Sequence, residues 1–255
     1  MTKFCRTLAG VLLCAFFAPA HAAVEIYPMM STISAHDNGL GQLKILSRSD
    51  AVQYIEVSVM RVSHPGTSLE KNVPVSPVDE PTLVASPQRL ILAPRQLHVI
   101  RLIAEGPPDK ETLYRVFIKP IAPPTAAIGQ PASGVSTSVS LSIVWAPLIT
   151  VEPRVAVPEW SLDEKNGILI NDGNVHLGVE RVAYCTSASD VNSCQWKDVK
   201  HIVYAGEKLP INAKPAQLGE TFRIEYKTPD GEVHNEARGM LPQPARDPRA
   251  VVSSS

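Results

Sequence analysis

The sequence lacks a strong net charge, because its 24 Lys and Arg residues nearly balance its 25 Asp and Glu residues and leave a net charge of −1 at pH 7. Such a chain has no overall attraction for nucleic acid or for an acidic membrane surface. Beyond its N-terminus it also lacks any run approaching the ~20 consecutive apolar residues of a membrane-spanning helix. We therefore expect neither a nucleic-acid partner nor a membrane anchor.

Motifs of catalysis and cofactor binding are also missing. The sequence contains no GxSxG nucleophile turn, no glycine-rich phosphate loop and no SxxK motif with its partners. Gly39 and Gly41 predict a hairpin turn. A nucleotide-binding loop is not favoured at these glycines, since no helical pattern follows them. Six of the seven histidines are scattered without an i, i+4 pair and predict surface or interface positions, although folding could still assemble a metal site from them: His36, His64, His98, His176, His201 and His234. We expect neither enzymatic activity nor a cofactor.

The N-terminus has the pattern of an export signal. Lys3 and Arg6 precede an apolar stretch over residues 8–17, and the small-x-small triplet at residues 20–22 predicts cleavage before Ala23. A lipoprotein signal at Cys14 is the weaker alternative, because the preceding Leu13 is large where a small residue is required. Residues 1–22 are thus predicted to be a signal peptide, and export without a membrane anchor predicts the periplasm or the cell exterior as the location.

Cleavage at that site leaves two cysteines, Cys185 and Cys194. Two cysteines nine positions apart in an oxidising compartment most simply form a disulfide across a hairpin or between neighbouring strands. A metal site is not favoured, because no CxxC or HExxH motif accompanies them.

The pattern of the mature chain predicts an all-β protein. Its 23 prolines and 14 glycines suit many short strands and turns better than long helices. Period-two segments predict strands at residues 24–27, 42–46, 52–62, 89–92, 97–103 and 113–118, and again at 168–170, 179–185, 201–204 and 222–226. Proline-rich segments predict loops at 72–81 and 120–134 and a stiff linker at 146–158. These segments describe two β domains, each about the size of an immunoglobulin domain.

The most regular strand covers residues 134–145, GVSTSVSLSIVW. Its odd-numbered positions are apolar or Thr, namely Val135, Thr137, Val139, Leu141 and Ile143. Serines occupy the even-numbered positions from 136 to 142, so this face is small and uncharged. An ordinary half-solvated strand carries larger polar residues outside, and we expect this strand to be covered.

Two arginines lie on predicted strands and share a face with apolar residues, namely Arg101 and Arg115. A guanidinium on such a face needs a carboxylate or several carbonyls if it is buried. An internal ion pair and a side chain that reaches the solvated rim remain open for either residue. The functional alternative is that one of them binds a ligand's carboxylate through two hydrogen bonds.

In this order and spacing, several segments resemble the periplasmic chaperones of the chaperone-usher pathway. They are residues 86–94 (SPQRLILAP), 99–102 (VIRL), 106–111 (GPPDKE) and 113–116 (LYRV). Residues 144–147 (VWAP) and the spacing of Cys185 and Cys194 are most similar to the alternate, alpha-fimbrial or common-pilus branch.

The resemblance implies two immunoglobulin-like β-sandwich domains in an L-shaped arrangement. It places the N-terminal domain at 23–146, the linker at 147–158, the C-terminal domain at 159–241 and a flexible tail at 242–255. It also implies that the first domain lends its last strand to pilus subunits, which lack one, and that the complex is delivered to an outer-membrane usher.

The resemblance assigns the donor residues to Val135, Thr137 and Val139, with Leu141 and Ile143 nearer the chaperone's own core. The best-known branch anchors the subunit's C-terminal carboxylate with an Arg on the first strand and a Lys on the donor strand. Alignment places Met30 and Ser142 there, so that pair is missing. The Tyr114-Arg115 motif is the expected substitute, with Arg101 as its support or as a structural ion pair.

Two other functions are considered. A β-sandwich adhesin or pilus subunit would carry an N-terminal donor extension before one incomplete domain, whereas the long alternating strand here is internal. An exported enzyme with an unrecognised site is the third possibility. Because an unpaired apolar strand can be capped by a second copy, self-association of the free protein is a further expectation.

Overall fold

The computed structural model describes residues 24–34, 37–75, 82–123, 142–187, 190–211 and 221–239. Within these ranges the chain forms β-strands and one short 3-10 turn at Val191–Ser193, and it forms no α-helix. The signal peptide and the tail predicted at the two ends lie outside the described residues. The all-β prediction is confirmed.

The strands form two β-sandwiches that follow one another along the chain. The N-terminal sandwich contains β1 (Val24–Tyr27), β2 (Met30–Ile33), β3 (Leu40–Ser47), β4 (Gln53–Ser63), β5 (Lys71–Pro74), β6 (Leu83–Ser86), β7 (Arg89–Leu92), β8 (Leu97–Ala104), β9 (Thr112–Ile121) and β10 (Leu148–Val151). The C-terminal sandwich contains β11 (Trp160–Asp163), β12 (Ile168–Asn171), β13 (Leu177–Cys185), β14 (Cys194–Val203), β15 (Lys208–Pro210), β16 (Thr221–Lys227) and β17 (Val233–Gly239).

The N-terminal sandwich packs a four-stranded sheet, in the order β1-β3-β8-β6, against a six-stranded sheet. The second sheet runs β2-β10-β9-β4-β5, and β7 also pairs with β4. Period-two alternation sends one face of each sheet inward. Fully buried side chains such as Leu43, Ile100, Val116 and Ile118 form a single apolar core between the sheets.

The C-terminal sandwich has a core of its own. Its sheets are β11-β12-β15 and β14-β13-β16-β17. The core is built around Trp160, Phe222 and Tyr226, all without solvent exposure. The Trp160 indole N–H and the Tyr226 hydroxyl both donate to the carboxylate of Glu236, at 2.8 and 2.6 Å, so the polar ends of these aromatic residues have partners.

Strand β10 lies inside the segment predicted to be a linker. It pairs antiparallel with β9 and parallel with β2, and Ile149 and Val151 are buried. The structure therefore differs from the prediction for 147–158, and only residues 152–159 connect the last strand of one sandwich to the first strand of the other. Strand β10 has only four residues and lies between Pro147 and Pro153, which is too short for a recognisable period and explains why the sequence pattern indicated a linker.

Six other strands were not predicted from the sequence pattern, namely β2, β5, β6, β11, β15 and β17. Strand β5 occupies the start of the predicted loop at 72–81. Strand β2 follows the cis Tyr27–Pro28 bond, where the chain passes from the four-stranded to the six-stranded sheet. The pairing of β2 with β10 brings the second and the last strands of the N-terminal sandwich together.

Candidate functional site

The described part of the predicted donor strand begins at Ser142 and is attached to β9. The Trp145 N–H donates to the Ile118 carbonyl at 3.1 Å, and the Ile118 N–H donates back to the Trp145 carbonyl at 2.8 Å. Trp145 is opposite Ile118 and Leu148 is opposite Arg115, so both pairs follow one antiparallel register. Trp145 also packs against the N-terminal core. These contacts fix the end of the predicted strand.

The pairing with β9 is described from Trp145 onward. Residues 142–144, which precede Trp145, do not lie in a strand. Val135, Thr137, Val139 and Leu141 precede them and lie outside the described residues. Ile143 is described and 47% exposed, so its side chain is only partly covered by this protein's own core.

Strand pairing shows which residue lies beside Met30. The residue directly across from Met30 is Leu148, because β2 and β10 are parallel partners at that position. Ser142 lies six residues earlier along the chain and is not beside Met30. The residue that faces the first strand at this level is therefore Leu148, and it is as apolar as Met30.

Arg115 lies in the same cross-strand row as those two residues. The row runs from Met30 through Leu148 and Arg115 to Met60, on four adjacent strands. Directly paired residues point to the same face of a sheet. This is the outer face, since Met30 is 72% exposed whereas the neighbours of Arg115 along β9 belong to the core. Arg115 is the cation of an otherwise apolar row.

The guanidinium of Arg115 is paired within the chain. Its Nη2 donates to Glu70 Oε1 at 3.0 Å, and the two side chains are 32% and 34% exposed. Glu70 Oε2 accepts the Gly66 N–H at 2.9 Å. These two contacts, first the Gly66 N–H and then Arg115, lower the pKa of the Glu70 carboxyl and keep it ionised at neutral pH. Of the alternatives left open for Arg115, the structure thus shows the internal ion pair, with Glu70 as the partner.

Arg101 does not support Arg115. It is exposed on β8, between the fully buried Ile100 and Leu102, and therefore points outward from the four-stranded sheet. Arg115 points outward from the opposite sheet, so the body of the sandwich separates the two guanidinium groups. The structure does not bring these two predicted site residues together.

The loop that carries Glu70 lies against the C-terminal sandwich. His64 Nδ1 is 3.1 Å from Glu207 Oε1, across the boundary between the sandwiches. Gly66 approaches Tyr204 so closely that a Cβ atom there would be 3.2 Å from the aromatic ring, and its φ of +71° also favours glycine. The chain between β4 and β5 is therefore placed by both sandwiches.

A second, more buried contact joins the sandwiches through Glu111. Its side chain is only 1% exposed and its Oε2 accepts the His176 backbone N–H at 2.8 Å. His176 Nδ1 lies 2.7 and 2.9 Å from the two carboxylate oxygens. The Glu111 N–H donates to the Asn174 carbonyl at 2.8 Å. This contact holds the start of β9 against the segment that leads into β13.

A cleft of about 410 Å³ lies between the sandwiches, and its walls include His64, Lys110, Tyr204 and Glu207. Arg115 and Glu70 do not line this cleft, but both are close enough to Tyr204 to act on its hydroxyl electrostatically. Burial raises the pKa of the Tyr204 hydroxyl, the carboxylates of Glu111 and Glu70 raise it further, and Arg115 lowers it.

The sequence pattern identified Arg115, but it did not identify Glu70 as the partner of Arg115 or Glu111 as the partner of His176. Glu70 lies 45 residues away in a loop, and no local pattern connects it to β9.

The predicted disulfide is present. Cys185 and Cys194 are bonded, and they are opposite each other on β13 and β14. The bond therefore joins the ends of two paired strands, as expected for a hairpin.

Within the described ranges, no cluster of three or more His, Cys, Asp or Glu residues could hold a metal ion. In the same ranges, no helix is long and apolar enough to cross a membrane.

Comparisons with known proteins give a consistent picture. No protein-family model matches the chain. Two curated Escherichia coli proteins do. One is a fimbrial subunit of CFA/I, at 30% identity over 199 residues, covering 76% of this chain and 82% of the relative. The other is a fimbrial subunit of CS1, at 31% identity over 226 residues, covering 87% of this chain and 92% of the relative.

Solved structures distinguish between the two fimbrial roles considered above. The class 5 fimbriae chaperone CfaA has a TM-score of 0.70 at 25% identity, over 86% of this chain and 100% of the solved chain. A chain from a chaperone-tip adhesin complex of CFA/I fimbriae has a TM-score of 0.72 at 25% identity, over 87% and 100%. Both sandwiches are needed for this coverage, which does not favour a single-domain adhesin or pilus subunit. The chain belongs to the family of fimbrial chaperones of the chaperone-usher pathway, in its alternate, alpha-fimbrial branch.

Proposed function

We propose that this protein is a periplasmic chaperone that binds pilus subunits by donor-strand complementation and delivers them to an outer-membrane usher. It acts by binding alone, without enzymatic chemistry or a cofactor. Residues 1–22 direct export, residues 23–146 carry the donor strand and residues 159–241 form the second domain. Strand β10 extends the first domain to residue 151.

The observation that carries this proposal is the parity of the strand that ends in β10. Trp145, Ile149 and Val151 all point towards the N-terminal core and all have odd numbers. If the extended backbone continues towards the N-terminus, the odd-numbered apolar residues of the predicted donor strand share that face. One uninterrupted strand then fills the chaperone's own core at one end and a subunit's core at the other.

Donor residues supply the binding free energy. Burial of a Val or Leu side chain contributes roughly 1.5 to 3 kcal/mol. Val135 and Val139, with Thr137 between them, therefore contribute several kcal/mol before the entropy of ordering is subtracted. The backbone hydrogen bonds of the added strand give affinity that depends little on side-chain identity, as expected of a protein that binds several subunits.

Arg115 is proposed to anchor the C-terminal carboxylate of the subunit. Its guanidinium is the one charged group in the cross-strand row with Met30, Leu148 and Met60. It also lies near Tyr204, which lines the cleft. An Arg can bind a carboxylate through two parallel hydrogen bonds, which fixes the orientation and register of the bound strand. Since Arg101 lies on the opposite face of the sandwich, it has no part in this anchor.

Co-expression tests the donor assignment. The double variant V135D/V139D should abolish recovery of a subunit complex from the periplasm, because two carboxylates cannot be buried in an apolar subunit core. The matched control is S136D/S138D, which adds the same charge to the same segment on the serine face and should retain far more complex. Normal complex yield from V135D/V139D, in a protein with unchanged circular dichroism, would contradict the proposal.

A further inference from the structure

The partner of Arg115 is itself a carboxylate placed near Tyr204, which lines the cleft. Glu70 Oε1 accepts from Arg115 at 3.0 Å and Oε2 accepts the Gly66 N–H at 2.9 Å. About a third of each side chain is exposed, so solvent and a ligand can reach the pair. Glu70 therefore has the chemistry and the position that the proposed function requires of a subunit's C-terminal carboxylate.

The position of Glu70 does not depend on Arg115 alone. The Thr67 hydroxyl donates to the His64 carbonyl at 2.8 Å, and the Glu70 N–H donates to the Thr67 carbonyl at 3.1 Å. These bonds, together with the Gly66 N–H, hold the loop in a compact turn. The loop also rests on the C-terminal sandwich through His64 and Glu207. The carboxylate can thus leave the guanidinium while its loop stays in place.

We propose that Glu70 is an internal stand-in for the subunit's C-terminal carboxylate, which pairs with Arg115 in the free chaperone and is displaced when a subunit binds. This inference rests on the anchor role of Arg115 in the proposed function. Without Glu70, Arg115 would be an unpaired cation between Leu148 and Met60, a costly arrangement for a half-buried guanidinium. Exchange of one carboxylate for another leaves Arg115 paired both before and after capture.

The exchange has a consequence for selectivity. A ligand that ends in a carboxylate can replace Glu70, whereas a ligand that ends in a neutral amide must leave Glu70 in place or leave Arg115 unpaired. Glu70 therefore weakens binding of the carboxylate ligand, whereas binding of a neutral chain end that leaves Glu70 in place is unchanged. Because a partly exposed ion pair is weak, removal of this competition should strengthen carboxylate binding by about 1.5- to 5-fold.

The test uses the mature full-length protein and two synthetic probes. One is an N-acetylated octapeptide of alternating Val and Thr with a free C-terminal carboxylate, and the other is the same peptide with a C-terminal amide. Isothermal titration gives the ratio of the amide Kd to the carboxylate Kd. The variant E70Q keeps an oxygen for the Gly66 N–H but removes the negative charge. The control E225Q makes the same change in a carboxylate of the C-terminal sandwich, which accepts from Arg181 at 2.8 Å.

The expected result is a ratio that rises by about 1.5- to 5-fold in E70Q and stays at the wild-type value in E225Q. An unchanged or smaller ratio in E70Q, with normal thermal unfolding, would overturn the stand-in role. The variant R115A distinguishes failure of the anchor role of Arg115 from failure of the role of Glu70. If its ratio falls to one while E70Q behaves like wild type, the anchor stands and only the role of Glu70 fails. If R115A keeps the wild-type ratio, the anchor assignment fails and the role of Glu70 fails with it.

Discussion

Replacement of Glu111 by alanine tests how the two sandwiches are held together. The side chain is 1% exposed, and its carboxylate accepts the His176 N–H at 2.8 Å and lies 2.7 Å from His176 Nδ1. Hydrogen bonds to a charged group are worth about 1.5 to 3 kcal/mol each, and truncation of one partner of a buried pair costs about 3 to 5 kcal/mol. His176 is 26% exposed, which favours the lower end. We expect E111A to lower the free energy of unfolding by about 3 kcal/mol.

Urea denaturation at pH 7, followed by tryptophan fluorescence, measures this loss. The control is E207A, because Glu207 makes a similar contact with His64 at 3.1 Å but the His64 side chain is 53% exposed. An exposed pair contributes about 0 to 1 kcal/mol, so E207A should lie within that range. The conservative variant E111Q, which keeps an oxygen for the His176 N–H, should lose less than E111A. Equal losses for E111A and E207A would refute the reasoning that burial makes the Glu111 contact the stronger one.

Two further changes test the disulfide and a carboxylate at the boundary. The variant C185S/C194S should lose about 2 to 3 kcal/mol of stability, because the bond no longer restricts the short segment between the two residues in the unfolded chain. Its melting temperature should match that of the reduced wild-type protein. A melting temperature equal to that of the oxidised wild-type protein would contradict this expectation. Burial, followed by the charge of Glu111, raises the pKa of the Glu152 carboxyl above its ordinary value of about 4.5. The folded state then binds the proton more tightly, so the contribution of Glu152 to stability is present below that ordinary pKa and is lost as pH rises through the raised pKa. E152Q should therefore melt at a higher temperature than wild type at pH 7 and at a similar temperature at pH 3.5; a lower melting temperature at pH 7 would contradict the sign.

Strands with a clear period of two were predictable from the sequence. Strands β1 and β7 were predicted with their observed bounds, because prolines close by limit two short apolar segments. Strand β14 was recognised only in part, at residues 201–204, because its first half is polar and exposed at the edge of its sheet. Strands β2 and β10 were among those missed, since four residues beside prolines contain too little pattern to separate a strand from a linker.

The candidate site was predictable only where it lies on a strand. Arg115 was recognised because a cation breaks the apolar pattern of β9. Its partner Glu70 and the contact between Glu111 and His176 depend on residues far apart in the chain, brought together only by the packing of loops on a second sandwich. The pairing of Leu148 with Met30 was not predictable for the same reason, because the register between β2 and β10 is a property of the folded sheet.

The attachment of Trp145 to Ile118 restricts how the chain before it can change in length. Side chains alternate strictly along a strand, so one inserted or deleted residue between the donor segment and Trp145 would exchange the two faces. The serines would then point where Val135 and Val139 are proposed to point, although composition and hydropathy would hardly differ. Insertions or deletions of two residues would keep the faces and move the apolar set along the subunit by about 7 Å. Related chaperones could therefore differ in subunit preference through changes of two residues in this segment, and changes of a single residue should be absent from functional chains.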